Sequence, residues 1–251
     1  MNEDFCPIQG FGDNIEETGL QWFCSPDSWK ESEIEDDRER QGGWWRISEN
    51  KLLLAPPAKK DFWRKTFYQP LLIKDDGPFL YTTIHRDTLP VTIETSFSLA
   101  PKAQFDQAGV LIRLDPEHWI KTGIEFVDGS PRLSCVVTNS FSDWSTQNWV
   151  EPRLKIRVHI LPQHGGSFVV EAAPFGSEKW SFFRIAHMHE NMRHDMLDNH
   201  PAIKGSYKGE SAPPDCLMVG VFAACPIDQA GTVATFDSLS IVQGSNFVHG
   251  A

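Results

Sequence analysis

The chain has 251 residues, 40% of them apolar, and its 17 Phe and 9 Trp supply enough buried area for a large core without disulfide staples. Its 34 acidic residues against 23 basic ones leave a formal net charge of -11, which argues against nucleic-acid backbones and anionic membranes as partners. The opening MNEDFCPIQGFGDN has neither a basic nor a long apolar stretch, and no segment approaches the roughly 20 apolar residues of a membrane helix, so neither a signal peptide nor a membrane span is expected.

The dominant period along the chain is two. The first strong strand signal covers 44–54, followed by others at 79–85 and 90–99. In 109–115 Val110, Ile112 and Leu114 share one face, and Leu111 and Arg113 the other. In 118–128 Ile120, Thr122, Ile124 and Phe126 alternate with Trp119, Lys121, Gly123, Glu125 and Val127. The turn sequence Asp128-Gly129-Ser130-Pro131 then predicts a hairpin into a strand at 132–138. In 152–162 Leu154, Ile156, Val158 and Ile160 form the inward set, against Lys155, Arg157 and His159, and further strands follow at 167–173, 180–187, 216–224 and 232–242. Such alternation is what half-buried antiparallel strands require, because successive side chains point to opposite sheet faces. Many short strands joined by turn-rich connections, with no strand–helix rhythm, predict a two-layer sandwich or a barrel.

Two stretches interrupt the pattern, the acidic run near 31–43 and the polar segment 190–215. Both are expected as loop insertions in one domain spanning 1–251, with a core of about 20–243, because strands continue on either side. The five cysteines are odd in number and form no C-x-x-C pair, and no Asn-x-Ser/Thr acceptor occurs. An intracellular, cytoplasmic protein fits this pattern.

Several motifs occur in order: Asp61-Phe62-Trp63-Arg64-Lys65-Thr66-Phe67-Tyr68, Ala108-Gly109-Val110-Leu111-Ile112-Arg113, Trp119-Ile120-Lys121-Thr122-Gly123-Ile124-Glu125, and Leu133-Ser134-Cys135-Val136-Val137-Thr138-Asn139. They continue with Ser142-Asp143-Trp144-Ser145 and Val219-Gly220-Val221-Phe222-Ala223-Ala224-Cys225-Pro226. Together, from about Trp22 to Val242, they resemble the regulation-of-enolase-like family, a domain of unknown function. The resemblance implies an all-β, concanavalin A-like sandwich (jelly roll) of two antiparallel sheets with little helix. It also implies a link to a glycolytic enzyme as partner, and a ligand groove on one sheet face. The chain departs from the family after Tyr68, where Gln69-Pro70 replaces the usual glycine and should alter the local turn.

Alternation places Arg113, Trp119, Lys121 and Glu125 on one sheet face, with Ser134, Val136 and Thr138 across the hairpin and Asp143 and Trp144 in the loop beyond. With Trp63 these make the expected ligand set: an indole stacks on the apolar face of a sugar or small metabolite while charged groups bind its hydroxyls. The alternative for the same face is a mixed-charge outer surface with cross-strand pairs.

Glycoside hydrolysis needs two carboxyls about 5–9 Å apart, for which Glu125 and Asp143 are the candidates. The letters Glu35-Asp36-Asp37-Arg38-Glu39 mimic a glucanase strand but lack flanking apolar residues, so no catalytic strand is expected there. That acidic run offers instead a docking loop for a basic partner. His187 and His189, near His194 and His200, are the metal-ligand candidates, yet no Cys stands at ligand spacing, so no metal and no cofactor is expected. Arg64 is expected as a buried ion-pair partner of Asp61 or Asp237, or as a ligand contact, and Cys135 as a small core residue.

Overall fold

A computed structural model describes residues 6–28, 42–162, 166–188, 211–213, 215–227 and 231–249. Eighteen strands, numbered in chain order, lie among these residues, and the helical content is two single 3-10 turns, Ile15–Glu17 and Arg86–Thr88. One nine-stranded sheet has the order β16 (Ser181–His187), β15 (Ser167–Ala173), β14 (Arg153–Leu161), β9 (Val91–Ala100), β18 (Val233–Gln243), β5 (Lys51–Ala55), β4 (Trp44–Ser48) and β3 (Asp27–Ser28), with β1 (Ile8–Gln9) also beside β18. A seven-stranded sheet has the order β13 (Phe141–Asn148), β12 (Ser130–Asn139), β11 (His118–Val127), β10 (Gln107–Asp115), β17 (Cys216–Ala224), β8 (Phe79–His85) and β2 (Gln21–Phe23). A separate ribbon pairs β6 (Phe62–Arg64) with β7 (Ile73–Asp75). All pairings between these strands are antiparallel except β3 with β4.

The two large sheets form the sandwich that the alternation predicts. Val110, Ile112, Ile120 and Ile124 of one sheet meet Leu154, Ile156, Val158 and Ile160 of the other in a single apolar cluster. The hairpin between β11 and β12 turns at Asp128 (φ 51°) and Gly129 (φ 78°), two left-handed residues whose twist suits flanking strands. The core starts earlier than expected, since Ile8, Phe11 and Ile15 are buried in it.

The segment expected as one strand at 44–54 is a hairpin of β4 and β5, and β1, β2, β3, β6, β7 and β13 were not expected as strands. Asp143 and Trp144 lie not in a loop but in β13, an edge strand that pairs along Arg132–Asn139 of β12. Its sequence, FSDWSTQN, is polar on both faces, so it carries no apolar alternation by which to be recognised; edge strands are commonly built this way because it discourages pairing with other chains.

Candidate functional site

The outward face of the seven-stranded sheet is not open. The chain from Ala58 to Pro78 lies against it, anchored where Lys59 and Lys60 donate backbone N–H groups to the Ile227 and Cys225 carbonyls at 3.0 and 3.1 Å. Phe62 is the plug. Its ring centroid lies 6.0 Å from those of Trp119 and Phe222 and 6.3 Å from that of Phe23, in a second apolar cluster that also holds Leu111, Val136 and Met218. Gly77 makes the plug possible, since a Cβ there would sit 2.6 Å from the Phe62 ring.

Beneath one part of this cover the polar face is closed. Arg113 is wholly buried and makes a bidentate ion pair with Asp75 of β7, at 3.1 and 2.7 Å. Its guanidinium also lies 4.7 Å from the Phe23 ring centroid. Trp119 is wholly buried under Phe62. Both belong to the expected ligand set, but neither lines the cavity described below: each is covered by the ribbon, which supplies the carboxylate and the aromatic ring that the sheet face alone lacks.

The other part is open to a cavity of about 650 Å³, within the range usual for small-molecule sites. Its walls are Trp63, Tyr68, Phe67, Phe105 and Trp144, and its polar floor is Asp61, Lys121 and Glu125. The aromatic rings brace one another edge to face, Trp63 against Tyr68 at 5.8 Å and against Trp144 at 6.3 Å, and Phe105 against Trp144 at 6.3 Å. The Trp63 indole donates to the Thr66 carbonyl at 3.0 Å, which fixes the ring. The lip, with Lys65 (φ 64°) and Phe67 (φ 75°) in left-handed conformations, is a place of local backbone strain, and Phe67 stands exposed on it. The Gln69–Pro70 peptide is cis.

On the floor, Lys121 donates to Asp61 Oδ1 at 2.9 Å, and the same oxygen accepts from the Phe62 backbone N–H at 2.7 Å and from Gln107 Nε2 at 3.1 Å. Glu125 Oε2 accepts from the Ser134 hydroxyl at 2.6 Å, and that hydroxyl oxygen accepts from the Trp144 indole at 2.9 Å. Ser134 reaches Glu125 diagonally because its directly paired residue on β11 is Gly123, which has no side chain to intervene. Burial pushes both carboxyls above the usual carboxylate range, against the pull of the Lys121 ammonium, with Asp76 adding to the rise at Asp61 and Asp61 to that at Glu125.

The cavity therefore assembles Trp63, Lys121, Glu125, Asp143 and Trp144 from the expected ligand set and adds Asp61, Tyr68 and Phe105. Asp143 sits at the rim, with its side chain 76% exposed and 3.2 Å from Arg184 of β16. It is thus no buried acid to match Glu125, and Asp61 is the second carboxyl of the floor. The signal that could have found Asp61 is its place at the head of the motif carrying Phe62 and Trp63.

Arg64 is buried as expected, but it pairs with Glu117 and donates to the Ser140 carbonyl at 3.1 Å, while Asp237 pairs with Lys51 and Arg153. Cys135 is a core residue, and burial pushes its thiol up to about 11. His187 ends β16 exposed; His189, His194, His200 and the acidic run at 31–41 lie outside the described residues. Among the described residues no three His, Cys, Asp or Glu side chains group closely enough to hold a metal ion, and no helix is long and apolar enough to cross a membrane.

The family described as "Protein of unknown function (DUF1349)" matches residues 39–243. Regulation of enolase protein 1 of Saccharomyces cerevisiae is 43% identical over 97 residues, 38% of this chain and 46% of that protein. An uncharacterised protein of Emericella nidulans is 33% identical over 109 residues, 40% of this chain and 52% of its own length. The chain thus spans about half the length of these relatives. A solved structure of a functionally unknown protein from Saccharomyces cerevisiae superposes with a TM-score of 0.67 at 25% identity, covering 91% of this chain and 98% of that one. A xylan beta-1,4-xylosidase from Bacillus halodurans shares the fold, with a TM-score of 0.55 at 13% identity over 89% of this chain and 38% of the enzyme.

Proposed function

This chain belongs to the DUF1349 family of proteins of unknown function, and on that premise we propose that its cavity binds a sugar-like metabolite without turning it over. One observation carries the reading: a 650 Å³ cavity with aromatic walls stands over the buried Asp61–Lys121–Glu125 floor. Indole faces suit the C–H face of a saturated ring, and the floor offers hydrogen bonds to its hydroxyls. The name of the yeast relative supports a further step, in which an enzyme of glycolysis responds to the loaded state. The absence of a disulfide among the described residues supports a reducing, cytoplasmic setting.

A thermal-shift screen against sugars and sugar derivatives tests the reading. A ligand at 100 times its dissociation constant adds about 2.7 kcal/mol and raises the midpoint. The rise should vanish in Trp144→Ala. A flat response across the panel, or a rise that survives Trp144→Ala, contradicts it.

A second reading, glycoside hydrolysis, is favoured by the two buried carboxyls on the floor, with Glu125 as proton donor and Asp61 as its companion. It requires release of a free sugar from a glycoside and loss of that release in Glu125→Gln. Binding without product separates the first reading from the second.

A further inference from the structure

The two floor carboxyls are each satisfied on one side only. Asp61 Oδ1 takes all three donors, from Lys121, Phe62 and Gln107, and Oδ2 has none among the described residues. Glu125 Oε2 takes the Ser134 hydroxyl, and the Trp144 indole, itself bonded to Ser134, also acts on this carboxyl, while no direct bond reaches Oε1 among the described residues. Both residues are more than nine-tenths buried, Asp61 at 7% and Glu125 at 6% exposure, and both line the cavity. Carboxylates on a cavity floor only accept hydrogen bonds, so an oxygen without a donor of its own is open to one from a guest. Tyr68 faces the same space. Burial first, and then the negative charge of Asp61 and Glu125, push its phenol above the ordinary range.

The charges lining the cavity limit the guest further. Among the described residues lining the cavity Lys121 is the one cation, against the acids Asp61, Glu125 and Asp143, the last paired with Arg184. An anionic guest would meet this acidic excess, and Lys121 is already engaged by Asp61. A cationic guest would be drawn by the acids and the rings, but at the floor it would meet the buried Lys121 ammonium, which is 3% exposed and fixed. Neutral hydroxyls satisfy the unmet oxygens and meet neither repulsion.

We infer that the cavity selects an uncharged polyol ring, whose neighbouring hydroxyls donate to Asp61 Oδ2 and Glu125 Oε1, over ring compounds bearing a phosphate, a carboxylate or an ammonium group. This rests on the cavity being the binding site. Selectivity of this kind arises from unmet partners more than from shape, since a site built for hydroxyls rejects guests that leave its buried polar groups unpaired.

The test is a calorimetric charge series on the whole chain, with D-glucose, D-xylose and myo-inositol as neutral probes, glucosamine as the cation, and glucose phosphate and glucuronate as the anions. At least one neutral probe should bind tenfold or more tightly than every charged one, with affinity lost in Trp144→Ala and reduced at least tenfold in Glu125→Gln. A charged probe that binds as tightly as the neutral ones, and loses affinity in Trp144→Ala, overturns the selectivity while leaving the cavity as the binding site. No heat with any probe, or binding indifferent to Trp144→Ala, overturns both. The comparison among probes is made on the unaltered protein, so it stands even if a variant fails to fold.

Discussion

Arg113 and Lys121 stand on the same face of neighbouring strands, yet one is closed over and the other opens onto a cavity. Both are buried cations paired with a carboxylate from the same covering segment, Asp75 for Arg113 and Asp61 for Lys121. The difference lies in what remains unmet. Both oxygens of Asp75 are taken by the guanidinium, and aromatic rings fill the surrounding space. Asp61 keeps an oxygen without a donor, and beside it the space is empty. Two ion pairs of similar appearance thus have different uses: the first fastens the cover to the sheet, and the second presents hydrogen-bond acceptors to a guest.

The largest effect expected from this contrast is on the closed side. Arg113→Ala leaves Asp75 buried and unpaired, and should cost about 3–5 kcal/mol of folding stability in chemical denaturation. Replacing both partners, Arg113→Met with Asp75→Leu, should restore most of the loss, because a buried ion pair exchanged for apolar groups is often neutral. A mild single-variant loss would mean that the ribbon is not fastened there.

A smaller effect is expected on the open side, and it depends on pH. Burial raises Glu125 in the folded chain, with Asp61 adding to the rise and Lys121 and Ser134 opposing it. The folded protein therefore keeps this proton at pH values where the unfolded chain has lost it. The associated stability is fully present below the ordinary glutamate range and is lost as pH rises through the raised folded value. Glu125→Gln should flatten that part of the stability–pH curve, as read by urea denaturation at a series of pH values. An unchanged slope would mean that Glu125 ionises as freely in the fold as outside it.

The smallest effect is expected at the rim, where Asp143 is mostly exposed and its pairing with Arg184 is screened by solvent. Asp143→Asn should change stability by less than about 0.5 kcal/mol. A hydrolytic role for Asp143 would instead appear as lost turnover.

Much of this fold is written in local periodicity. The faces of β10, β11 and β14 follow from alternation alone, because a strand's side chains have only two directions to take. The hairpin at Asp128 and Gly129 is legible for the same reason, since few residues accept its left-handed turn. The site is legible only in part. Alternation brings Lys121 and Glu125 together on a face, but it is silent about what covers that face. The cover comes from Ala58–Pro78, some of it far from β10 and β11 in sequence, and its docking depends on side-chain fit, such as Phe62 beside Gly77. For that reason Arg113 and Trp119 resemble ligand contacts in the sequence and are core in the structure. The strand holding Asp143 and Trp144 was hidden by a different cause, since an edge strand polar on both faces leaves no period to read.

The central claim is that guests touch the Lys121 side of the face and not the Arg113 side. Saturation-transfer NMR with neutral sugars tests it most directly, on wild type, Trp144→Ala, and the Arg113→Met, Asp75→Leu pair. The account predicts transfer to the ring C–H protons of a neutral sugar, lost in Trp144→Ala and kept in the paired variant. Transfer that survives in Trp144→Ala, or that disappears only when the closed side is altered in a folded protein, would contradict it.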